Sequence, residues 1–255
     1  MSKIELLHGD CLELMKDIPD GSIDMILTDP PYGTTACKWD SVIPFDKMWK
    51  QLNRVIKNNG AILLFGSEPF SSLLRCSNLK NYKYDWIWNK VKPGNILFSK
   101  HKPLQNHENI SVFNSKIYFP IMESCGYRTS RIYSKSKSIN HKYNINDIYE
   151  YKDGKFPKTI LTFSNANQKD RLHPTQKPVP LLEYLIKTYT KENETVLDFT
   201  MGSGSTGVAC KNLNRNFIGM EIDKKYFDIA KQRIENGFVQ EKINDADLDK
   251  FALFQ

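Results

Sequence analysis

Glu194-Thr195-Val196-Leu197-Asp198-Phe199, followed after two residues by Gly202-Ser203-Gly204-Ser205-Thr206-Gly207, is the stretch from which the fold can be read. The apolar run ending on an acid predicts a buried strand. The glycines predict a tight turn whose backbone lies open to a ligand. Val208-Ala209-Cys210-Lys211-Asn212-Leu213 reads as a helix that opens from that turn, and Asn216-Phe217-Ile218-Gly219-Met220 as a second strand ending at Glu221 and Asp223. Strand, glycine turn, helix, strand, acid is a βαβ unit with its ligand at the helix N-terminus. An acid about 20 residues beyond the turn suits a group that binds ribose hydroxyls. The expected fold is therefore α/β: a Rossmann-like, doubly wound, mostly parallel sheet. The glycine pattern taken alone also fits an NAD-type site, or any glycine-rich turn in such a sheet.

Working upstream, a second strand-like run, Ile23-Asp24-Met25-Ile26-Leu27-Thr28, leads into Asp29-Pro30-Pro31-Tyr32. Proline pairs mark turns, and a plain turn is the bland reading. The chemical reading is more specific. An exocyclic amine on a nucleobase is a poor nucleophile because its lone pair is delocalised into the ring. To make it react, a protein must draw its hydrogens toward acceptors. The Asp29 carboxylate and the Pro30 carbonyl are two such acceptors, and the prolines offer no competing N–H. Pro30 and Pro31 also stiffen the loop before reaction. Tyr32 provides a face for a flat base. Hydride transfer has no use for this tetrad, which argues against the NAD-type reading.

The tetrad resembles the catalytic motif of the amino-methyltransferases that modify DNA on adenine N6 or cytosine N4. Aspartate in its first position is closer to the adenine enzymes. With the tetrad early and the glycines late, the order resembles the permuted β group of that family, over residues of about 1 to 235. The resemblance implies S-adenosyl-L-methionine as methyl donor, double-stranded DNA as partner and a flipped-out base as target. Carried over by position, Asp198, Phe199, Gly202, Ser203 and Gly204 form the cofactor loop, and Glu221 binds the ribose hydroxyls. In His8-Gly9-Asp10-Cys11, Asp10 and Cys11 touch the cofactor's adenine. In His173-Pro174-Thr175-Gln176-Lys177-Pro178, Thr175 and Lys177 bind the methionine carboxylate. One departure stands out. The family usually has an aromatic two positions after the acid, where this chain has Thr200; its aromatic, Phe199, directly follows Asp198.

Composition is consistent with that reading. The chain has 255 residues, 40% of them hydrophobic, with a formal charge of +7, which suits a polyanionic partner. Five scattered cysteines, at positions 11, 37, 76, 125 and 210, form no C-x-x-C pair. No metal site or disulfide framework is expected from them. The absence of a leader-like or long apolar run points to a cytoplasmic protein, bacterial or from a phage-infected cell, with no membrane partner. The resemblance further implies a homodimer and a cognate restriction enzyme as partners.

Three spans are expected: 1–114 with the catalytic loop, a target-recognition insertion over 115–168, and 169–255 with the cofactor loop. In the insertion, apolar periodicity fades and basic and polar residues rise. Arg128, Arg131, Lys135 and Lys137 are its candidate DNA contacts. Elsewhere, helical spacing predicts a helix over 46–57, closed by Asn58-Asn59-Gly60, with a strand over 61–65. Tyr84–Lys90 reads as a strand with period-two aromatics, where Trp86 and Trp88 pack a sheet or wall the base pocket. Asn106-His107-Glu108 precedes another strand and has no chemical role legible in the sequence. Three rival functions remain: a cytosine-N4 enzyme, an RNA- or protein-directed methyltransferase, and a DNA-binding module without catalysis.

Overall fold

A computed structural model describes residues 2–34, 40–94, 99–124, 154–165 and 176–236, and the backbone alone of 128–131 and 148–151. The elements in chain order are β1 (Ile4–His8), α1 (Cys11–Leu14), β2 (Ile23–Thr28), α2 (Phe45–Val55), β3 (Ile56–Gly66), α3 (Phe70–Ser77), β4 (Tyr82–Asn89) and β5 (His107–Phe113). They continue with β6 (Arg128–Arg131), β7 (Ile148–Tyr151), β8 (Ile160–Thr162), α4 (Val179–Tyr189), β9 (Thr195–Asp198), α5 (Ser205–Asn212), β10 (Asn216–Glu221) and α6 (Lys224–Asn236).

Eight strands form one sheet in the order β1-β10-β9-β2-β3-β5-β4-β8. Every neighbouring pair is parallel except the two that β5 makes with β3 and β4. Alternation along the central strands feeds two cores. Met25, Leu27, Ala61, Leu63 and Phe65 face α4, α5 and α6, whereas Ile26, Ile62 and Leu64 face α1, α2 and α3. Helices on both faces explain why the inner strands read as continuous apolar runs. The chain leaves β9 toward one edge of the sheet and β2 toward the other. The crevice between their carboxyl ends is thus the topological switch point, where ligands of such sheets bind.

Two sequence expectations need correction. Helix α2 stops at Val55 rather than at residue 57, and β3 begins at once with Ile56. Asn58-Asn59-Gly60 lies inside β3 as a bulge: the β2 register jumps from Ile23↔Ile56 to Met25↔Ala61. A side chain at Gly60 would lie 2.7 Å from the Asp24 carbonyl, so a glycine there permits a close backbone approach rather than a helix cap. The Asn114 amide donates to the Gly60 carbonyl at 3.2 Å, which satisfies the bulge. Second, residues 160–162, placed in the insertion by sequence, are the edge strand of the main sheet, beside β4. Trp86 and Trp88 follow the packing alternative: both are buried in the core, their indole N–H groups donating to the Tyr189 hydroxyl (2.7 Å) and the Phe163 carbonyl (2.8 Å). They pack the sheet, and neither lines the cavity described below.

β6 and β7 pair as a separate antiparallel ribbon within the expected insertion, carrying the backbones of Arg128 and Arg131. Lys135 and Lys137 lie outside the described residues.

Candidate active site

A cavity of about 600 Å³ opens at the switch point. Its lining includes Asp29, Pro30, Pro31 and Tyr32 from the loop after β2. It also includes Asp198, Phe199, Gly202, Ser203 and Glu221 from the β9–β10 unit, and Asp10 and Cys11 after β1. Two motifs some 170 positions apart in the chain thus share one space. β2 pairs directly with β9, and this pairing brings them together.

The loop after β2 is held from several sides. Thr200 donates its hydroxyl to the Asp29 carbonyl at 3.1 Å, and Asp40 accepts the amides of Gly33 and Thr34, each at 2.9 Å. The Tyr32 ring stacks on Phe70 at 4.9 Å and 28°. Its hydroxyl donates to one carboxylate oxygen of Asp29, while the Lys177 ammonium donates to the other. Both acceptor positions of Asp29 are therefore engaged by the protein itself. Burial pushes the Tyr32 phenol well above its ordinary range, reinforced by Asp29 and Glu108, so it stays a donor.

Lys177 also faces Glu108 at 3.3 Å, and Lys90 closes on the other oxygen of Glu108. Burial alone would raise both carboxyls. Glu108 has two cations against it and ends below its ordinary value. Asp29, buried and sharing one cation with Glu108, ends above its own. Lys177 stays protonated despite its burial, because both carboxylates hold it there. The lysine expected at a cofactor carboxylate is thus engaged by the Asp29 and Glu108 side chains. Thr175 lies outside the described residues.

The second loop works through backbone. Glu221 accepts the amides of Gly202 (2.9 Å) and Asp223 (2.8 Å). Asp198, buried at the end of β9, accepts the Thr28 hydroxyl (3.0 Å) and the Thr200 amide (3.2 Å). Burial pushes its carboxyl up to about 7. Gly204 does not line the cavity. It caps α5 with φ 77°, and a Cβ there would meet Ala230 and Ile234 at 3.0 Å, so it serves the contact with α6. Arg233 of α6 braces the loop from behind, donating to the Ser203 carbonyl (3.1 Å) and the Ser205 hydroxyl (2.9 Å). Asp10 caps α1 through the Leu12 amide at 2.7 Å. Burial pushes the Cys11 thiol up to about 12, so it is inert.

Several residues of this site had no signal in the sequence. Thr200, the departure from the family's aromatic, couples the two loops. Gln176 accepts the Ser203 hydroxyl at 3.2 Å, next to the lysine on Asp29, so this short segment bridges both loops. Ile222, 60% exposed beside Glu221, gives the cavity an apolar surface. Phe70 and Glu108 reach the site from α3 and β5, elements whose role is set by packing alone.

The fold and this paired-loop cavity are those of an α/β enzyme with room for a nucleotide-type cofactor beside a second substrate. The donor set fits such a cofactor: carboxylates at Glu221 and Asp10 for hydroxyl and amine donors, an apolar face at Ile222, and the open backbone of Gly202 and Ser203 at the start of α5. Comparison with known proteins agrees. The family model described as DNA methylase (N6_N4_Mtase) matches residues 23–232. The Type II methyltransferase M2.LlaDCHI of Lactococcus lactis subsp. cremoris is 32% identical, over 91% of this chain and 89% of that one. M.HinfI of Haemophilus influenzae is 28% identical, over 95% of this chain and 71% of its own length. The crystal structure of an M1.HpyAVI–SAM complex superposes with a TM-score of 0.60 at 30% identity, covering 90% of this chain and 99% of that one. The PvuII cytosine-N4-specific DNA methyltransferase matches with a TM-score of 0.66 at 17% identity, which speaks for the fold. The chain belongs to the N6/N4 DNA methylase family. It is an S-adenosylmethionine-dependent DNA methyltransferase.

Proposed function

We propose that this enzyme methylates adenine N6 at a short DNA sequence, and that it is a permuted, β-group enzyme of the D-P-P-Y type. The observation that carries this reading is Asp29 at the end of β2, an acceptor in the same cavity as the cofactor loop. Aspartate at this position resembles the adenine enzymes, and the chain order of the two loops resembles the β group. S-adenosylmethionine supplies a methyl group activated by its sulfonium, which leaves as a neutral thioether. The chain's own residues supply placement. Asp29 takes one amine hydrogen and the Pro30 carbonyl the other, which localises the nitrogen lone pair for attack. The Tyr32 hydroxyl occupies the Asp29 oxygen that the amine needs, so the incoming base displaces it and meets the ring. As the N–C bond forms, the amine gives up one proton, and the Asp29 carboxylate is its first acceptor.

At the cofactor end, Glu221 is assigned to the ribose hydroxyls and Asp10 to the adenine amine. Asp198, Phe199, Gly202, Ser203 and Gly204 build the loop, with Gly204 acting through its contact with α6. We assign target recognition to the insertion that carries the β6–β7 ribbon, with Arg128, Arg131, Lys135 and Lys137 as its DNA contacts. The Type II relatives support a cytoplasmic setting with a cognate restriction enzyme, and a homodimer is the assembly the β-group reading implies. No helix among the described residues is long and apolar enough to cross a membrane. The test is nucleoside analysis of DNA from cells expressing the protein. N6-methyl-deoxyadenosine is expected; N4-methyl-deoxycytidine in its place would overturn the reading.

A further inference from the structure

Four charged side chains converge behind the base-facing acid, each from a different segment: Asp29 after β2, Lys90 after β4, Glu108 in β5 and Lys177 before α4. All are withdrawn from solvent, with side-chain exposures of 19% for Asp29, 19% for Lys90, 8% for Lys177 and 13% for Glu108. The Lys177 ammonium lies 5.0 Å from the centroid of the Phe65 ring, on an apolar floor. We propose that Lys177 and Glu108 are positioning residues for methyl transfer: a cation shared between two carboxylates, which sets how strongly Asp29 holds the hydrogens of the target amine. The proposal rests on the reading of Asp29 as the amine's acceptor.

The reasoning is one of competition. With no cation beside it, a buried aspartate takes up a proton and ceases to accept. With a cation of its own, it is fully paired and accepts weakly. Sharing gives the intermediate state, and Glu108 can share only while it stays ionised. Lys90, closing on Glu108 at 2.5 Å, keeps it so. The other groups near Asp29 do not balance its charge. Tyr32 from its own loop is a neutral donor, Asp198 from β9 is acidic, and Asp40 beyond the loop is acidic and acts on Tyr32. Lys177 is thus the cation that contacts Asp29 among the described residues. Its charge lowers the Asp29 carboxyl and that of Glu108 raises it.

The two residues must therefore act in opposite senses. The experiment is single-turnover methylation by the full chain, with labelled S-adenosylmethionine and unmethylated genomic DNA, measured across pH. The rate should fall on the acid side as Asp29 protonates. Lys177→Met should move this acid limb up by about one pH unit, a tenfold rate loss on the limb, and Glu108→Gln should move it down by a similar amount. Lys90→Met should move it up by less, since an uncompensated Glu108 draws Lys177 away from Asp29. Cofactor binding by calorimetry reports whether each variant is folded. Should Lys177→Met fail there, Glu108→Gln and Lys90→Met still carry the opposite signs. Limbs that stay at the wild-type pH while the plateau falls, or a Glu108→Gln limb that moves the same way as those of the two lysine variants, overturn the proposal. Failure of the underlying reading looks different: Asp29→Asn would then match the wild-type rate.

Discussion

The two loops at the switch point solve opposite problems. The loop after β9 is organised through its backbone: its Gly202 amide is held by Glu221, its turn is fitted against α6 by Gly204, and its acid Asp198 is tied inward to Thr28 and Thr200. The loop after β2 presents one side chain, Asp29, whose surroundings come from β4, β5 and the segment before α4. A backbone site needs shape, and local sequence supplies it. An acceptor that must stay ionised in a buried place needs charges from elsewhere in the fold. The contrast predicts that substitutions in one loop alter the chemical step and those in the other alter cofactor affinity.

Asp29→Ala should break the catalytic side most severely. Methyl transfer should fall by roughly a hundredfold or more, while calorimetry shows an unchanged affinity for S-adenosylmethionine. A weakened affinity of similar size would erase the division of labour. Glu221→Gln is the matching change on the other side. It can accept only one of the two amides as before, so the cofactor dissociation constant should rise about tenfold to a hundredfold with kcat little changed.

Asp198 sharpens the comparison through stability. With its carboxyl raised to about 7 in the fold, the folded state holds a proton that the unfolded chain has released by then. Stability therefore falls as pH rises from about 4 to 7, the range between the ordinary and shifted values, and levels off above. Asp198→Asn keeps the acceptor for Thr28 and Thr200. It should raise Tm relative to the wild type more at pH 8 than at pH 5, as read by calorimetric melting. An equal offset at both values would mean that the carboxyl is not held protonated. The smallest effect should come from the link between the loops. Thr200→Val removes one hydrogen bond to the Asp29 carbonyl, about 1 kcal/mol, and a several-fold drop in kcat is expected with the cofactor dissociation constant unmoved. A change in affinity alone would assign Thr200 to the cofactor side.

Much of this molecule was legible in its sequence, because the relevant physics is local. The run from Thr195 to Glu221 folds as strand, turn, helix and strand for reasons contained within it: apolar alternation, a positive-φ glycine and an acid at a strand end. The prolines of the other loop likewise carry their stiffness with them. The errors arose where neighbours decide. Asn58-Asn59-Gly60 has the composition of a helix cap, yet the pairing of β3 with β2 draws it into a bulge, where the limiting contact is the Asp24 carbonyl. Thr200 looked like a lost aromatic until the facing carbonyl of Asp29 gave its hydroxyl a partner.

By itself, then, the chain's sequence determined the α/β class, the two loops at strand ends and the acid at the tip of each strand, since turn chemistry and hydrophobic period act over a few residues. The tertiary structure alone decided that these loops share one cavity and that Lys177 faces Asp29 and Glu108. Those facts depend on β9 pairing with β2 and on β5 reaching the same rim. Coulomb interactions in a buried site act across space, between residues whose separation along the chain carries no trace of their proximity.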